Sequence, residues 1–253
     1  MQNWVTLAAA CFVNRNYSGC LQAIDTMIKF NSEANSKARM KPYEANEVIC
    51  MGVRALFAQN KYQEALNYIN THSKLLIDNV SRFEYLGKIH HQLGDEAKSV
   101  EAYESLLQLN SANLNTYKKI IEAKGVTLPG DGDAPLSEAY QSIVKGILDE
   151  FVEGLPKVNA HLRTGLRYLH GNSFQDYLEK YMRPLIIKGV PSIMIDLREF
   201  YTEPTKISMI GDYLANAIQS MESERTLRPG DDDEQDPTIM LWLYYFMSQH
   251  NLF

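Results

Sequence analysis

The chain has 253 residues, 45% hydrophobic and 22% charged, a balance that suits a folded protein with a buried core and excludes wholesale disorder. Its 25 basic and 31 acidic residues give a formal charge of −6, which argues against a general nucleic-acid coat. Three cysteines, Cys11, Cys20 and Cys50, do not make a disulfide framework.

No charged-then-apolar leader opens the sequence, and no apolar run approaches the roughly 18 residues that a membrane span needs. A reducing, cytoplasmic setting is expected. Helical spacing runs through almost every segment, without convincing strand-like alternation. In NWVTLAAACFVNRNYSGCLQAIDTMIKF, Trp4, Leu7, Ala8, Tyr17, Ile24 and Met27 fit two crossing helices, with Cys20 at the crossing, where a small residue belongs. ANEVICMGVRALFAQNKYQEALNYIN repeats the pattern: Tyr62 answers Tyr17, Ala65 answers Cys20, and Ile69 answers Ile24. FEYLGKIHHQLGDEAKSVEAYESLLQLN is the third copy, with Leu86-Gly87, a Gly94-Asp95 turn, Ser99 at the small position, and Tyr103.

Tyr62 and Glu96 stand 34 residues apart, the period of a tetratricopeptide repeat. Tyr17 and Tyr62 stand 45 apart, so an 11-residue extension, about SEANSKARMKP, separates the first two copies. The predicted fold is all-α, a right-handed tetratricopeptide-like superhelix (α-solenoid) of about a dozen helices. Residues 1–124 are read as three repeats and the start of a fourth, whose first helix covers Asn115 to Lys124.

Residues 125–222 are read as divergent hairpins that continue the solenoid. GVTLPGDGDAPL is a loop, and a helix from Leu136 to Val152 follows, with Tyr140, Ile143, Ile147, Leu148 and Phe151 as its apolar positions. GLPKVNAHLRTGLRYLHG reads as an extended crossing and a short helix. From an N-cap at Ser173, Phe174, Tyr177, Leu178, Tyr181, Met182 and Leu185 mark one helical face, with Pro184 expected to kink it. In KGVPSIMIDLREFY, Gly189 is the left-handed residue that ends this helix, and Pro191 is pre-set for the first turn of the next. Val190, Ile193, Met194, Leu197 and Tyr201 are its predicted buried face. A further helix covers about Pro204 to Glu222; residues 223–236 read as an acidic, exposed loop, and 237–253 as the first helix of a truncated repeat.

Catalytic signatures are not found: no Walker loop, nucleophile elbow, H-E-x-x-H or C-x-x-C. Gly130 to Asp133 hints at a calcium loop, but Ser142 stands where its closing glutamate belongs, so a plain loop is expected. Adjacent His90 and His91 point to different helix faces, one packed and one solvated. Asp231 to Glu234 reads as a solvated charge run, and Cys50 as a small buried residue. No cofactor, metal or catalytic residue is expected.

YLEKYMRPLIIKGVPSIMIDLREFY, the acidic loop and DPTIMLWLYYFMSQH together resemble the large auxiliary subunit of the NatA N-terminal acetyltransferase. That family's Lys-Gly-x-Pro turn and Leu-Arg-x-x-Tyr helix are matched by Lys188, Gly189, Pro191, Leu197, Arg198 and Tyr201. Its Pro-Thr-x-x-Leu-Trp helix, closing on Gln-His, is matched by Pro237, Thr238, Leu241, Trp242, Gln249 and His250. The repeats also follow the family's order, so the resemblance spans nearly the whole chain. It implies a long helical scaffold that wraps a catalytic acetyltransferase subunit and helps hold it at the ribosome, with this chain an internal or early slice.

The acetyl-CoA signature R/Q-x-x-G-x-G/A is missing, which points to a scaffold and not the enzyme. The alternative is a tetratricopeptide co-chaperone or peptide-binding adaptor, whose usual Lys, Asn and Arg clamp is not evident. Partner contacts are expected on the first helices of the second and third copies, at Glu47, Arg54, Phe57, Glu84, Lys88 and His91. Leu241, Trp242, Tyr245, Phe246 and Phe253 are expected to leave an open apolar patch, through which the chain self-associates.

Overall fold

The computed structural model describes residues 2–33, 39–130, 133–155 and 158–253. Among them the fold is all-α, with no strand. The chain divides into two compact units, Met1–Lys124 and Gly125–Phe253.

The N-terminal unit holds α1 (Gln2–Val13), α2 (Tyr17–Glu33), α3 (Pro42–Ala58), α4 (Tyr62–Thr71), α5 (Asn79–Gln92), α6 (Glu96–Leu109) and α7 (Leu114–Ala123). Each helix packs on the next, giving three hairpins and the first helix of a fourth. The small crossing residues Cys20, Ala65 and Ser99 are all fully buried. Close approach is enforced again at Gly52 and Gly87, where an added Cβ would sit 2.8 Å from Tyr68 and 2.5 Å from Tyr103. Ser99 goes further and donates its hydroxyl to the Gly87 carbonyl at 2.9 Å, tying α6 to α5. The hairpin turns share one device: Arg15, Asn60 and Gly94 occupy the same register, and all three have positive φ. Gly125, also at positive φ, repeats it after α7.

The extension between the first two copies resolves in part. Ser32 and Glu33 finish α2, residues 34–38 lie outside the described residues, and α3 starts at Pro42. Pro42 suits a first helical turn, where the missing N–H has no partner to lose. Glu44 then reaches back to the Lys41 N–H at 2.9 Å.

The C-terminal unit holds α8 (Glu138–Gly154), α9 (Ala160–Tyr168), α10 (Gly171–Ile187), α11 (Ile193–Leu197), a 3₁₀ turn (Arg198–Thr202), α12 (Pro204–Glu224) and α13 (Ile239–Leu252). Several details depart from the sequence expectations. On α8, Ile147 and Leu148 are buried as expected, but Tyr140 and Ile143 are exposed and Val144 is buried in their place. Ser173 does not cap α10: Gly171, at φ +56°, turns the chain so sharply that the helix begins three residues earlier, with His170 at the cap position. Pro191 lies in the turn before α11, not in its first helical turn. That helix ends at Leu197, so Phe200 joins the buried face with Ile193, Met194 and Leu197, while Val190 and Tyr201 are half-buried.

The acidic segment after α12 is a loop, but not a solvated one throughout. Thr226, Leu227 and Gln235 are buried, Arg183 pairs with Asp231 at 2.7 Å, and Arg225 pairs with Glu234 at 3.1 Å. The Gly130–Asp133 expectation falls partly on residues 131 and 132, outside the described residues. His90 is packed and His91 exposed. Cys50 is buried, and burial pushes its thiol up to about 11, so it is a poor nucleophile near neutral pH.

Candidate partner interface

Two sets of residues were singled out in the sequence, and the structure treats them differently. The motif set, Lys188 to Trp242, assembles into one corner. Lys188 ends α10, and Gly189 follows at φ +64°. Gly189 N–H donates to the Ile186 carbonyl at 2.9 Å and Val190 N–H to the Leu185 carbonyl at 3.0 Å. Those two bonds define a Schellman stop, which uses carbonyls a helix end would otherwise leave open.

The Trp242 indole of α13 lies over Gly189, so closely that a Cβ there would sit 2.5 Å from its Nε1. Behind it, Trp242 stacks on Phe246 with ring centres 5.9 Å apart. The second half of the corner is a pair: Tyr201 Oη and His250 Nδ1 share a hydrogen bond of 2.7 Å. His250 also presses on Gly211, where a Cβ would be 2.7 Å from Nε2. Phe253 packs against the Tyr201 ring, with the Arg198 guanidinium 5.6 Å from the centre of the Phe253 ring. Burial pushes the Tyr201 phenol up to about 12 and draws His250 below its ordinary value, so both stay neutral near pH 7. Leu197 is fully buried beneath this corner, and Pro191 stays exposed. The corner is a joint between helices, and its Tyr201 hydroxyl and His250 ring are engaged with each other.

The partner set lies on α3 and α5. Glu47 and Arg54 are exposed on α3, one turn pair apart, with Phe57 half-buried beyond them. On α5, Glu84 and Lys88 are half-buried and His91 is exposed at the helix end. Glu84 is not free to meet a partner alone. It holds Lys88 at 2.9 Å and Lys119, from α7, at 2.8 Å. Burial would raise its carboxyl, but hydrogen bonds from Lys119 and Lys88 outweigh that and hold it below the usual range. Lys119 was missed in the sequence, although it stands six residues before Gly125 as Lys88 stands before Gly94.

Lys206 on α12 was also missed. Only 1% exposed, it donates to the Leu166 and Arg167 carbonyls at 3.2 and 3.3 Å and pairs with Glu203 at 3.1 Å. It sits about equally over the Phe174 and Phe200 rings, at 5.2 and 5.0 Å. With its donors engaged this way, it closes the C-terminal end of α9 rather than offering a nucleophile. Among the described residues no group of three or more His, Cys, Asp or Glu is placed to hold a metal ion, and no helix is long and apolar enough to cross a membrane.

Comparison with known proteins gives one consistent family. A family model described as "N-terminal acetyltransferase A, auxiliary subunit" matches residues 43–252. The mouse "N-alpha-acetyltransferase 16, NatA auxiliary subunit" is 24% identical over 253 residues, and the Arabidopsis thaliana "N-terminal acetyltransferase A complex auxiliary subunit NAA15" is 22% identical over 249. Each alignment covers 98% of this chain, which spans only 27% of the length of those relatives. The solved "Structure of Naa15/Naa10 bound to HypK-THB" contains a chain with the same fold, at a TM-score of 0.76 and 19% identity, covering 100% of this chain and 34% of that one.

Proposed function

The chain belongs to the auxiliary-subunit family of N-terminal acetyltransferase A, and on that footing we propose that it is a non-catalytic scaffold that positions the catalytic subunit of such a complex. The observation that carries this is how the family motif is used. Gly189 packs under Trp242, and Tyr201 bonds to His250, so the matched residues tie the end of α10 and the 3₁₀ turn to α13. A motif used this way serves shape, and shape is what a scaffold contributes. The partner proposed is the catalytic acetyltransferase, in keeping with the Naa15/Naa10 pairing named for the solved neighbour. The proposed setting is the cytoplasm, at the ribosome, where new N-termini emerge. Contacts are proposed for the face of α3 and α5 that carries Glu47, Arg54, Phe57, Glu84, Lys88 and His91.

The test is co-expression of this chain with the catalytic subunit, followed by gel filtration and by acetylation of an N-terminal peptide with and without the chain. Co-elution with changed peptide turnover supports the scaffold. Failure to co-elute, with a chaperone C-terminal peptide bound instead, would favour the adaptor alternative.

A further inference from the structure

Arg54, Lys88 and Lys119 stand at one register position of three successive first helices, each six residues before a left-handed turn residue: Asn60, Gly94 and Gly125. Repeats that stack bring equivalent positions onto one face, and the structure shows this directly, since a single carboxylate, Glu84, reaches both Lys88 and Lys119. Arg54 has no such companion. Its Nε donates weakly to the Cys50 carbonyl of its own helix at 3.4 Å, and among the described residues no ion pair engages it. The row therefore has one end filled by a carboxylate and one end open.

We infer that the row Arg54–Lys88–Lys119 is a seat for an extended acidic peptide segment of a partner, with Glu84 as an internal occupant of its far end. Packed helices lie about 8–10 Å apart, so the row spans on the order of 20 Å, the length of about six extended residues. A segment with carboxylates about three residues apart matches that pitch. The flanking groups favour a short peptide over a nucleic acid: Glu47 lies on the same face as Arg54, and three cations with an acidic neighbour are too few for a phosphodiester chain. The surroundings agree, because the N-terminal unit holds 14 basic and 12 acidic residues, whereas Gly125–Phe253 holds 11 basic and 19 acidic. This inference deepens the proposed partner face and rests on it.

The experiment uses the full chain and a fluorescein-labelled nonapeptide with Glu at every third position in a Gly/Ser background, read by anisotropy at low salt. A peptide with Gln in place of Glu and a single-stranded RNA of equal length are run beside it. The Glu peptide should bind, the Gln peptide should not, and added salt should weaken binding. Arg54→Glu should lower affinity by about fivefold or more, and Glu84→Gln should raise it several-fold by freeing two cations. Arg54 is exposed, so its variant tests the seat even if Glu84→Gln perturbs folding. Equal binding of the two peptides, preference for RNA, or indifference to Arg54→Glu would overturn the inference. A chain that captures the catalytic subunit yet ignores the Glu peptide would keep the scaffold and lose the seat.

Discussion

Gly189 and Trp242, 53 positions apart in sequence, meet face to face: the indole occupies the space that any side chain at Gly189 would need. Two separate costs therefore fall on one substitution. Gly189→Val must place a branched residue at φ +64°, and its Cβ must displace the indole. The loss should be roughly 3 kcal/mol, seen as a lower Tm and an earlier denaturant midpoint. Repeating Gly189→Val in a Trp242→Ala background separates the two, because only the backbone cost survives there. Wild-type melting of Gly189→Val would show that the corner is not built this way.

Lys206 offers a second test of what holds the C-terminal unit together. Its ammonium binds two carbonyls at the end of α9 and the Glu203 carboxylate, while being almost wholly withdrawn from water. Lys206→Met keeps the length of the side chain but strands those carbonyls and leaves Glu203 without its charge partner. A destabilisation on the order of 3 kcal/mol is expected by chemical unfolding. An unchanged midpoint would mean that the lysine is as dispensable as a surface one.

Acid should weaken the fold before it reaches the carboxylates. His161 is 1% exposed, and burial lowers it from 6.5 to about 4. Between those values the unfolded chain binds a proton at His161 that the folded chain does not, so stability falls as pH drops from about 6.5 to about 4 and levels off below. Near neutral pH the imidazole is uncharged in both states, and the folded state is not penalised. His161 alone accounts for on the order of 3 kcal/mol across that window. His72, His90, His170 and His250, also lowered first by burial, add in the same direction. Urea titrations at pH 7 and pH 5 measure the slope, and His161→Phe should flatten it; equal stability at both values would contradict the burial argument.

Much of this was open to a reader of the sequence, and the limits have physical causes. The small crossing positions at Cys20, Ala65 and Ser99 are visible because packing tolerates only a few residue types there. The hairpin turns are visible only at Gly94, since Arg15 and Asn60 adopt the same left-handed geometry without glycine to announce it. Both motif halves can be read as separate helix signals, but the contacts Gly189–Trp242 and Tyr201–His250 exist only once the chain has closed. Lys206 looks like any helix lysine, because burial of a charge depends on carbonyls that arrive from 39 and 40 residues away. Ser173 reads as a cap from its residue type alone, whereas the true start depends on the φ of Gly171, which composition does not reveal.

The last test concerns α13, where the expected open patch is present in altered form. Phe246 is fully buried and Trp242 is half-covered by the corner, so neither contributes as foreseen. What remains exposed is Leu241 at 72%, Leu252 at 75% and Phe253 at 50%, with Tyr244 and Tyr245 between them. Side chains of this size in one helix favour covering by another protein surface, and in a solution of this chain the available surface is a second copy. We propose a weak, concentration-dependent dimer through α13. Removing the helix would be a poor test, because Ile239, Leu243 and Phe246 belong to the core and their loss would unfold the unit. Leu241→Glu with Leu252→Glu leaves those three in place and makes the outer face repel itself. Sedimentation should show a mass that rises with concentration for the wild-type chain and stays monomeric for the double variant. A wild-type chain that remains monomeric at high concentration would remove α13 as a self-association surface, while leaving its packing on Gly189 untouched.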